Sequence, residues 1–350
     1  MQSYFMCFLL ITSRLFVISC FRLLMFNMPL IINGIEIKDS DRILDDLQLF
    51  VQKYKNVYKD CSSRLKSTPV TLVTRCQCCL YVMQGELATV GGADKSIKCV
   101  GTDMATTCHI VVIRCRQTAT TSLAHFDGSF LVDGAKEMLK SIENIRTPEG
   151  AQGYDLDLHI IGGFDDDRKL SGKLSTDLLR TFQTLSSDRG LKLYLRTFCC
   201  SPFNTCVVTK HGVEINSPVI FGVVVTVGDG KIYGADFAED ARGPVRAMRA
   251  ARGVHGRKQM FNVYDYVKER FIVPPFTYQP LPFIEEWIEQ SDSFIKENMS
   301  TSPDVEPAFF APDTRESLRF IATHPNPMHS IFKSNLPLFY KLDGGLWKQE

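Results

Sequence analysis

A cysteine and a histidine are spaced in this sequence as a nucleophile and its base would be. Cys108 stands at the head of the apolar run TTCHIVVI (residues 106–113), and His125 follows seventeen residues later, just before Asp127. A thiol becomes a strong nucleophile when a neighbouring imidazole takes its proton. The pair therefore indicates attack on an acyl carbon, although most cysteines on apolar strands are only small core residues.

Two adjoining strands would bring these side chains together. The β-branched run at residues 110–113 predicts a buried strand, and Asp127 with Gly128 predicts a turn after His125. His109 is next to Cys108 on the first strand, so its side chain should point to the opposite face. His125 is therefore the better candidate for the base.

Composition limits the classes of protein. With 350 residues, 45% of them hydrophobic and 23% charged, the chain can bury one large core or two ordinary ones. A net charge of +1 gives no electrostatic reason to expect nucleic acid or an anionic membrane as a partner. Twelve irregularly spaced cysteines favour reduced thiols in the cytosol over a disulfide framework.

The first 27 residues differ from the rest of the chain. They are largely apolar, and Arg14 and Arg22 are their only charges. A signal anchor, an organellar presequence and a misassigned start are the three interpretations. The arginines interrupt the apolar stretch, so we favour a working polypeptide that begins at Met28 and expect no stable membrane association unless residues 1–27 are a real anchor. Residues 28–350 are expected to form one domain.

Beyond Met28, short strands and helices follow one another without a repeat period, which predicts an α+β fold with layered elements. Apolar alternation predicts strands at 28–32, 35–37, 70–73, 80–83, 86–90, 96–100, 108–113, 156–161, 191–195, 205–208, 219–227 and 231–237. Helical spacing predicts helices at 41–58, 135–145, 169–185, 284–297 and 314–322.

Other motifs have simpler interpretations. The run CQCC at residues 76–79 resembles half of a metal site, but no second pair stands at a zinc-ribbon spacing. Acidic residues 165–167 precede a helix, so they are expected to cap it. Five arginines between residues 242 and 257 are expected to form a solvated face: Arg242, Arg246, Arg249, Arg252 and Arg257.

The chain also resembles a known family, the eukaryotic protein N-terminal asparagine amidohydrolases. The strongest matching block is ATTCHIVV (105–112), and the resemblance covers most of residues 28–350 in order. The remaining matching blocks are MPL (28–30), LYV (80–82), ELA (86–88), His125 with Asp127 and Gly128, GGF (162–164), DDR (166–168), RGP (242–244), RAAR (249–252), STSP (300–303), His324 with Pro325, and GLW (345–347).

The resemblance implies an activity. Members of this family hydrolyse the side-chain amide of an N-terminal asparagine, leave aspartate and release ammonia. The product is then arginylated and enters ubiquitin-dependent degradation, which implies a cytoplasmic location, with the nucleus as an alternative. The family's nucleophile corresponds to Cys108, its substrates are proteins or peptides with N-terminal asparagine, and it needs no metal or organic cofactor.

A more distant resemblance, to bacterial chemoreceptor glutamine deamidases, suggests the rest of the catalytic set. Those Cys-His deamidases carry a threonine six residues before the cysteine and a histidine seventeen residues after it, which correspond here to Thr102 and His125. The likeness implies a layered β-sandwich-like core with flanking helices. Thr102 would orient the imidazole, although a threonine in a turn is an equally good interpretation.

Recognition of the free α-ammonium of the substrate requires another group. A half-buried carboxylate is the simplest solution, and Glu86, Asp103 and Asp127 are the candidates. Two other functions stay open: another thiol hydrolase, such as a cysteine peptidase, or a non-catalytic protein that binds N-termini. A Cys108 thiol of low pKa would distinguish a catalyst from such a binder.

Overall fold

The fold is a mixed α+β arrangement, as predicted. The computed structural model describes residues 30–38, 41–145, 155–189, 191–210, 212–254, 257–279 and 281–350, so the predicted extension 1–27 lies outside the described residues. The described helices are α1 Leu47–Ser67, α2 Leu131–Asn144, α3 Leu170–Arg189, α4 Arg246–Val254, α5 Ile284–Ile288, α6 Asp292–Met299, α7 Phe310–Thr323 and α8 Pro327–Ser330. None of these helices is long and apolar enough to cross a membrane.

Nineteen strands are found in the same described part of the chain. They are β1 Leu30–Ile32, β2 Ile35–Ile37, β3 Thr71–Val73, β4 Cys79–Tyr81, β5 Glu86–Val90, β6 Cys99–Thr102, β7 His109–Cys115, β8 Thr121–Phe126, β9 Asp155–Gly162, β10 Lys192–Cys200, β11 Thr205–Lys210, β12 Val213–Pro218, β13 Val223–Thr226, β14 Ile232–Phe237, β15 Phe261–Asn262, β16 Tyr264–Asp265, β17 Arg270–Val273, β18 Leu338–Asp343 and β19 Leu346–Gln349.

The elements form three layers around the largest sheet. Its eight strands run in the order β15-β5-β8-β7-β9-β10-β1-β2. One face packs against α1, α2 and α3 in a core that contains Phe126, Met138 and Phe182. The other face packs on a second sheet, of order β3-β14-β13-β6-β4, in a core that contains Val100 and Val223. The likeness to Cys-His deamidases stays a prediction.

Alternation along β7 decides which layer each of its side chains meets. Val111 and Ile113 belong to the core under the helices, whereas Ile110 and Val112 belong to the core between the sheets. Each such side chain is fully buried, which stabilises the fold by roughly 1.5–3 kcal/mol. A residue placed in register with Ile110 must therefore face the second sheet.

Helix α1 extends further than the sequence predicts. Its start is fixed by Asp46, whose carboxylate accepts from the backbone N–H groups of Gln48 (2.8 Å) and Leu49 (3.1 Å). The predicted helix ends at Tyr58, but α1 continues to Ser67. The polar last turns contain Ser62, which is buried and donates to the carbonyl of Phe198 on β10 (3.2 Å), so a tertiary contact extends the helix.

The C-terminal part departs most from the predicted elements. The helix predicted at 284–297 is two helices, because the Ser291 hydroxyl accepts from the backbone N–H of Phe294 (3.2 Å) and begins α6 there. Strands β16 to β19 form a separate four-stranded sheet that we did not predict. The predicted strand 219–227 is shorter in the structure and begins only at Val223. The strand at residues 213–218, which we did not predict, pairs with β11 as a hairpin.

Candidate active site

The sheet places Cys108, which immediately precedes β7, on the same face as His125 on β8. His125 on β8 lies directly opposite Ile110 on β7, and Cys108 precedes Ile110 by two residues. Because alternate side chains share a face, all three point toward the second sheet. Cys108 is 9% exposed, His125 is 1% exposed, and both line a cavity of about 500 Å³.

Thr102 reaches this pair from the second sheet. It ends β6, and its Oγ1 lies 2.8 Å from His125 Nδ1. The Thr102 hydroxyl can donate to the carbonyl of Asp103 (3.5 Å), so its oxygen is free to accept a hydrogen from Nδ1. His125 Nε2 is buried and has no hydrogen-bond partner among the described residues. This arrangement leaves the lone pair on Nε2 available as a base.

Burial favours the neutral forms of both the Cys108 thiol and the His125 imidazole. It raises the pKa of the Cys108 thiol far above its usual range, and the charges of Asp127 and Glu306 add to that rise while Arg257 opposes it. Burial lowers the pKa of His125 to about 4. The structure thus reverses the expectation of a low-pKa thiol and favours proton transfer from a neutral thiol to a neutral imidazole during attack.

The opposite face of β7 supports the Cys108 segment from behind. His109 points toward α3, as alternation predicts, and its Nε2 lies 2.7 Å from Ser175 Oγ. Ser171 Oγ donates to the carbonyl of Thr107 (3.3 Å). Gly162 pairs with His109 at φ +106°, where an added Cβ would lie 2.8 Å from the carbonyl oxygen of Cys108. Because it has no side chain, Gly162 lets β9 approach the backbone of Cys108 closely.

Glu86 is engaged by two buried arginines, which does not suit its predicted role as an ammonium ligand. Arg249 Nη2 lies 2.6 Å from Glu86 Oε2, and Arg252 forms an ion pair with Oε1. Glu86 is fully buried and is not among the residues that line the cavity. Burial alone would raise the pKa of Glu86, but the two guanidinium groups lower it below its usual range. Its observed contacts are structural.

Asp103 and Asp127 do line the cavity, and each also has a guanidinium partner. Asp103 accepts from Tyr81 Oη (2.6 Å) and Arg242 Nη2 (2.7 Å), and burial raises its pKa despite both contacts. Asp127 is bound by Arg257 Nη2 at 2.6 and 2.8 Å. Their role in binding the ammonium stays a prediction, and their present partners already neutralise them.

The expectation of a solvated arginine face is wrong. Arg242, Arg249 and Arg252 are 7%, 2% and 3% exposed. Their planar guanidinium groups stack on rings, with Arg249 4.5 Å from the centroid of Phe271 and Arg252 4.2 Å from that of Phe261. The charge pattern concealed this because the arginines' acidic and aromatic partners are distant in sequence.

Sequence reasoning also missed the segment that closes the cavity. Thr301 Oγ1 lies 2.6 Å from Thr107 Oγ1, and Glu306 Oε1 accepts from Thr106 Oγ1 (3.3 Å) and Ser300 Oγ (2.5 Å). The contacts with Thr107 and Thr106 span 194 and 200 residues of sequence. The matching block at 300–303 was the only signal, and it did not include Glu306.

The described residues contain no group of three or more His, Cys, Asp or Glu side chains placed to hold a metal ion. The ten cysteines in the described part of the chain are all free thiols.

Comparison with known proteins identifies the class. The family model described as "Protein N-terminal asparagine amidohydrolase" matches residues 69–349. The chain is 38% identical over 271 residues to the human protein of that name, covering 77% of this chain and 83% of that protein. It is 37% identical to the pig protein over the same shares, and 28% identical over 294 residues to the Arabidopsis thaliana protein, covering 77% of this chain and 80% of that one.

These matches establish a hydrolase of the deamidase class. The chain belongs to the protein N-terminal asparagine amidohydrolase family.

Proposed function

We propose that this chain converts the N-terminal asparagine of proteins and peptides to aspartate and releases ammonia. The observation that carries the proposal is the buried pair of Cys108 and His125 at one cavity, with Thr102 in contact with the imidazole, in a chain of this family. The set contains a nucleophile, a base with a free nitrogen and a group that orients the base. With the thiol and the imidazole at the same cavity, the site suits attack on the carbonyl carbon of a small amide.

The first half of the reaction makes a thioester. His125 Nε2 takes the proton of the Cys108 thiol as the sulfur bonds to the side-chain amide carbon of the substrate. Backbone N–H groups near Cys108 stabilise the negative charge that develops on the amide oxygen. The C–N bond then breaks, and the leaving ammonia receives the proton from Nε2. Thr102 holds the ring throughout by its contact with Nδ1.

The second half regenerates the enzyme. Water attacks the thioester carbon while His125 Nε2 accepts one of its protons. The C–S bond breaks, the thiol recovers that proton, and the product leaves with an N-terminal aspartate. The chemistry uses protein groups alone, so we propose no metal or organic cofactor. The aspartate product is a substrate for arginyl transfer and so leads to ubiquitin-dependent degradation in the cytoplasm or nucleus.

The testing experiment uses synthetic peptides that begin with Asn, Gln or acetylated Asn. Ammonia release and mass spectrometry should show conversion of the Asn peptide to the Asp peptide, with little change in the other two. Cleavage of the peptide backbone would identify a cysteine peptidase. Binding of the Asn peptide without any product would identify a non-catalytic binder of N-termini. Either result would overturn the proposed activity.

A further inference from the structure

Four carboxylates line the cavity beside Cys108, and one of them differs from the others. Asp103 is paired with Arg242, Asp127 with Arg257, and Asp313 with Arg246. Glu306 is 8% exposed, and among the described residues no Lys or Arg nitrogen lies within ion-pair distance of its carboxylate. A buried carboxylate without a cation is costly, so a cation that enters the cavity would be attracted to it.

The contacts of Glu306 hold it in place without neutralising it. The hydroxyls of Ser300 and Thr106 both donate to Oε1, so Oε2 can accept a hydrogen bond from a ligand. The cation on the neighbouring helix, Lys296, donates to the backbone carbonyl of Glu306 (3.5 Å) rather than to its carboxylate. The result is an oriented carboxyl group beside the cavity. Burial raises the pKa of Glu306, and an entering ammonium would favour the charged form of its carboxylate.

The position relative to the nucleophile is equally specific. Glu306 bonds to Thr106, two residues before Cys108, and its charge acts on the Cys108 thiol. In asparagine, three covalent bonds separate the α-nitrogen from the amide carbon that the thiol attacks. A group that binds the ammonium must therefore stand close to the nucleophile, as Glu306 does.

We infer that Glu306 binds the α-ammonium of the substrate and thereby restricts the enzyme to N-terminal asparagine. This inference rests on the proposed function, and it names a residue in place of Glu86, Asp103 or Asp127. An internal asparagine lacks the cation, so its amide group would enter a cavity in which the Glu306 carboxylate stays unpaired and poorly solvated.

The test compares two substrates that differ only in the ammonium. One is a peptide with N-terminal Asn; the other carries a succinamoyl group in that position, which keeps the side-chain amide and lacks the amine. Wild-type kcat/KM should favour the Asn peptide by about 10- to 100-fold, the usual worth of a charge-assisted hydrogen bond. In Glu306→Gln that preference should fall to near unity, with little change for the succinamoyl peptide.

The matched control removes a charge from the same segment. Asp304 is exposed and does not line the cavity, so Asp304→Asn should keep the wild-type preference. An equal loss for both peptides in Glu306→Gln would show that Glu306 only supports the loop, and a preserved preference would show that it does not recognise the ammonium. Either result overturns the inference.

A measurement on the wild-type enzyme needs no variant. The kcat/KM of the Asn peptide should fall above pH about 8, as the α-ammonium of the substrate loses its proton, whereas that of the succinamoyl peptide should not. Identical alkaline behaviour of the two peptides would contradict recognition of the charge. Failure of the proposed function would look different, because the wild type would then release no ammonia from the Asn peptide.

Discussion

The two walls of the cavity are built in contrasting ways. Thr102, Cys108 and His125 come from one stretch of chain, and neighbouring strands of the two packed sheets position them. The opposite wall is lined by residues between positions 242 and 317, where helices and irregular segments are held by buried ion pairs and hydroxyl contacts. Sheet register positions the groups that we propose to react, whereas tertiary charge pairing positions the wall that we propose to meet the substrate's N-terminus.

Removing the nucleophile should have the largest effect. Cys108→Ala should lower kcat for the Asn peptide by roughly 10⁴-fold or more, because no other described group of the cavity can form the thioester. Cys115→Ala, at the far end of the same strand and on the other face, should keep its activity. Ammonia release and circular dichroism would check both variants. Substantial turnover by Cys108→Ala would show that the wall positioned by the sheets does not carry the catalytic groups.

Breaking a buried ion pair that lies behind the opposite wall should instead destabilise the fold. Glu86→Gln leaves Arg249 and Arg252 without their carboxylate and should lower the free energy of unfolding by about 3–5 kcal/mol. The exposed pair of Lys173 and Asp177 provides the control, because Asp177→Asn should change it by less than about 1 kcal/mol. Urea unfolding would measure both. An equally small effect in Glu86→Gln would mean that the arginine cluster does not hold this wall.

Loss of the Thr102 hydroxyl should have a smaller effect that is confined to catalysis. Thr102→Val removes the contact with His125 Nδ1 and should lower kcat roughly 10- to 100-fold with little change in KM. Thr102→Ser should restore most of the rate because it keeps the hydroxyl. Thr89→Val removes a buried hydroxyl contact with Ser122 in the eight-stranded sheet and serves as the control. A loss in KM alone would argue against an orienting role.

The pH profile should show the smallest change. Protonation of His125 removes the base, so activity is lost as pH falls through its pKa, which burial lowers from 6.5 to about 4. The acid limb of kcat/KM should therefore lie below pH about 6, the ordinary range of an exposed histidine. Measurements from pH about 3 to 9, with circular dichroism to confirm that the protein stays folded at the acid end, would locate it. An acid limb at 6.5 or above would show that the base is not buried in the active enzyme.

The contrast between the two walls also explains which features of the site the sequence could predict. Period-two alternation around Cys108 predicts its strand, and the same rule correctly turns His109 away from the site. Alternation could not find Glu306, which meets Thr106 only after about 200 intervening residues. It also could not show that Arg249 is buried, because its partners Glu86 and Phe271 lie in separate strands. Local patterns encode strands and faces, whereas long-range pairing decides which charges are buried.

The central claim is that Cys108 forms a covalent bond to the side-chain carbonyl of asparagine. Rapid acid quenching of the enzyme with an Asn peptide, followed by digestion and mass spectrometry, tests it most directly. We predict an adduct on the fragment that contains Cys108, equal in mass to the peptide less ammonia, which decays as the Asp peptide appears. Efficient turnover without any such adduct, even at the shortest times and under conditions that slow hydrolysis of a thioester, would contradict the account.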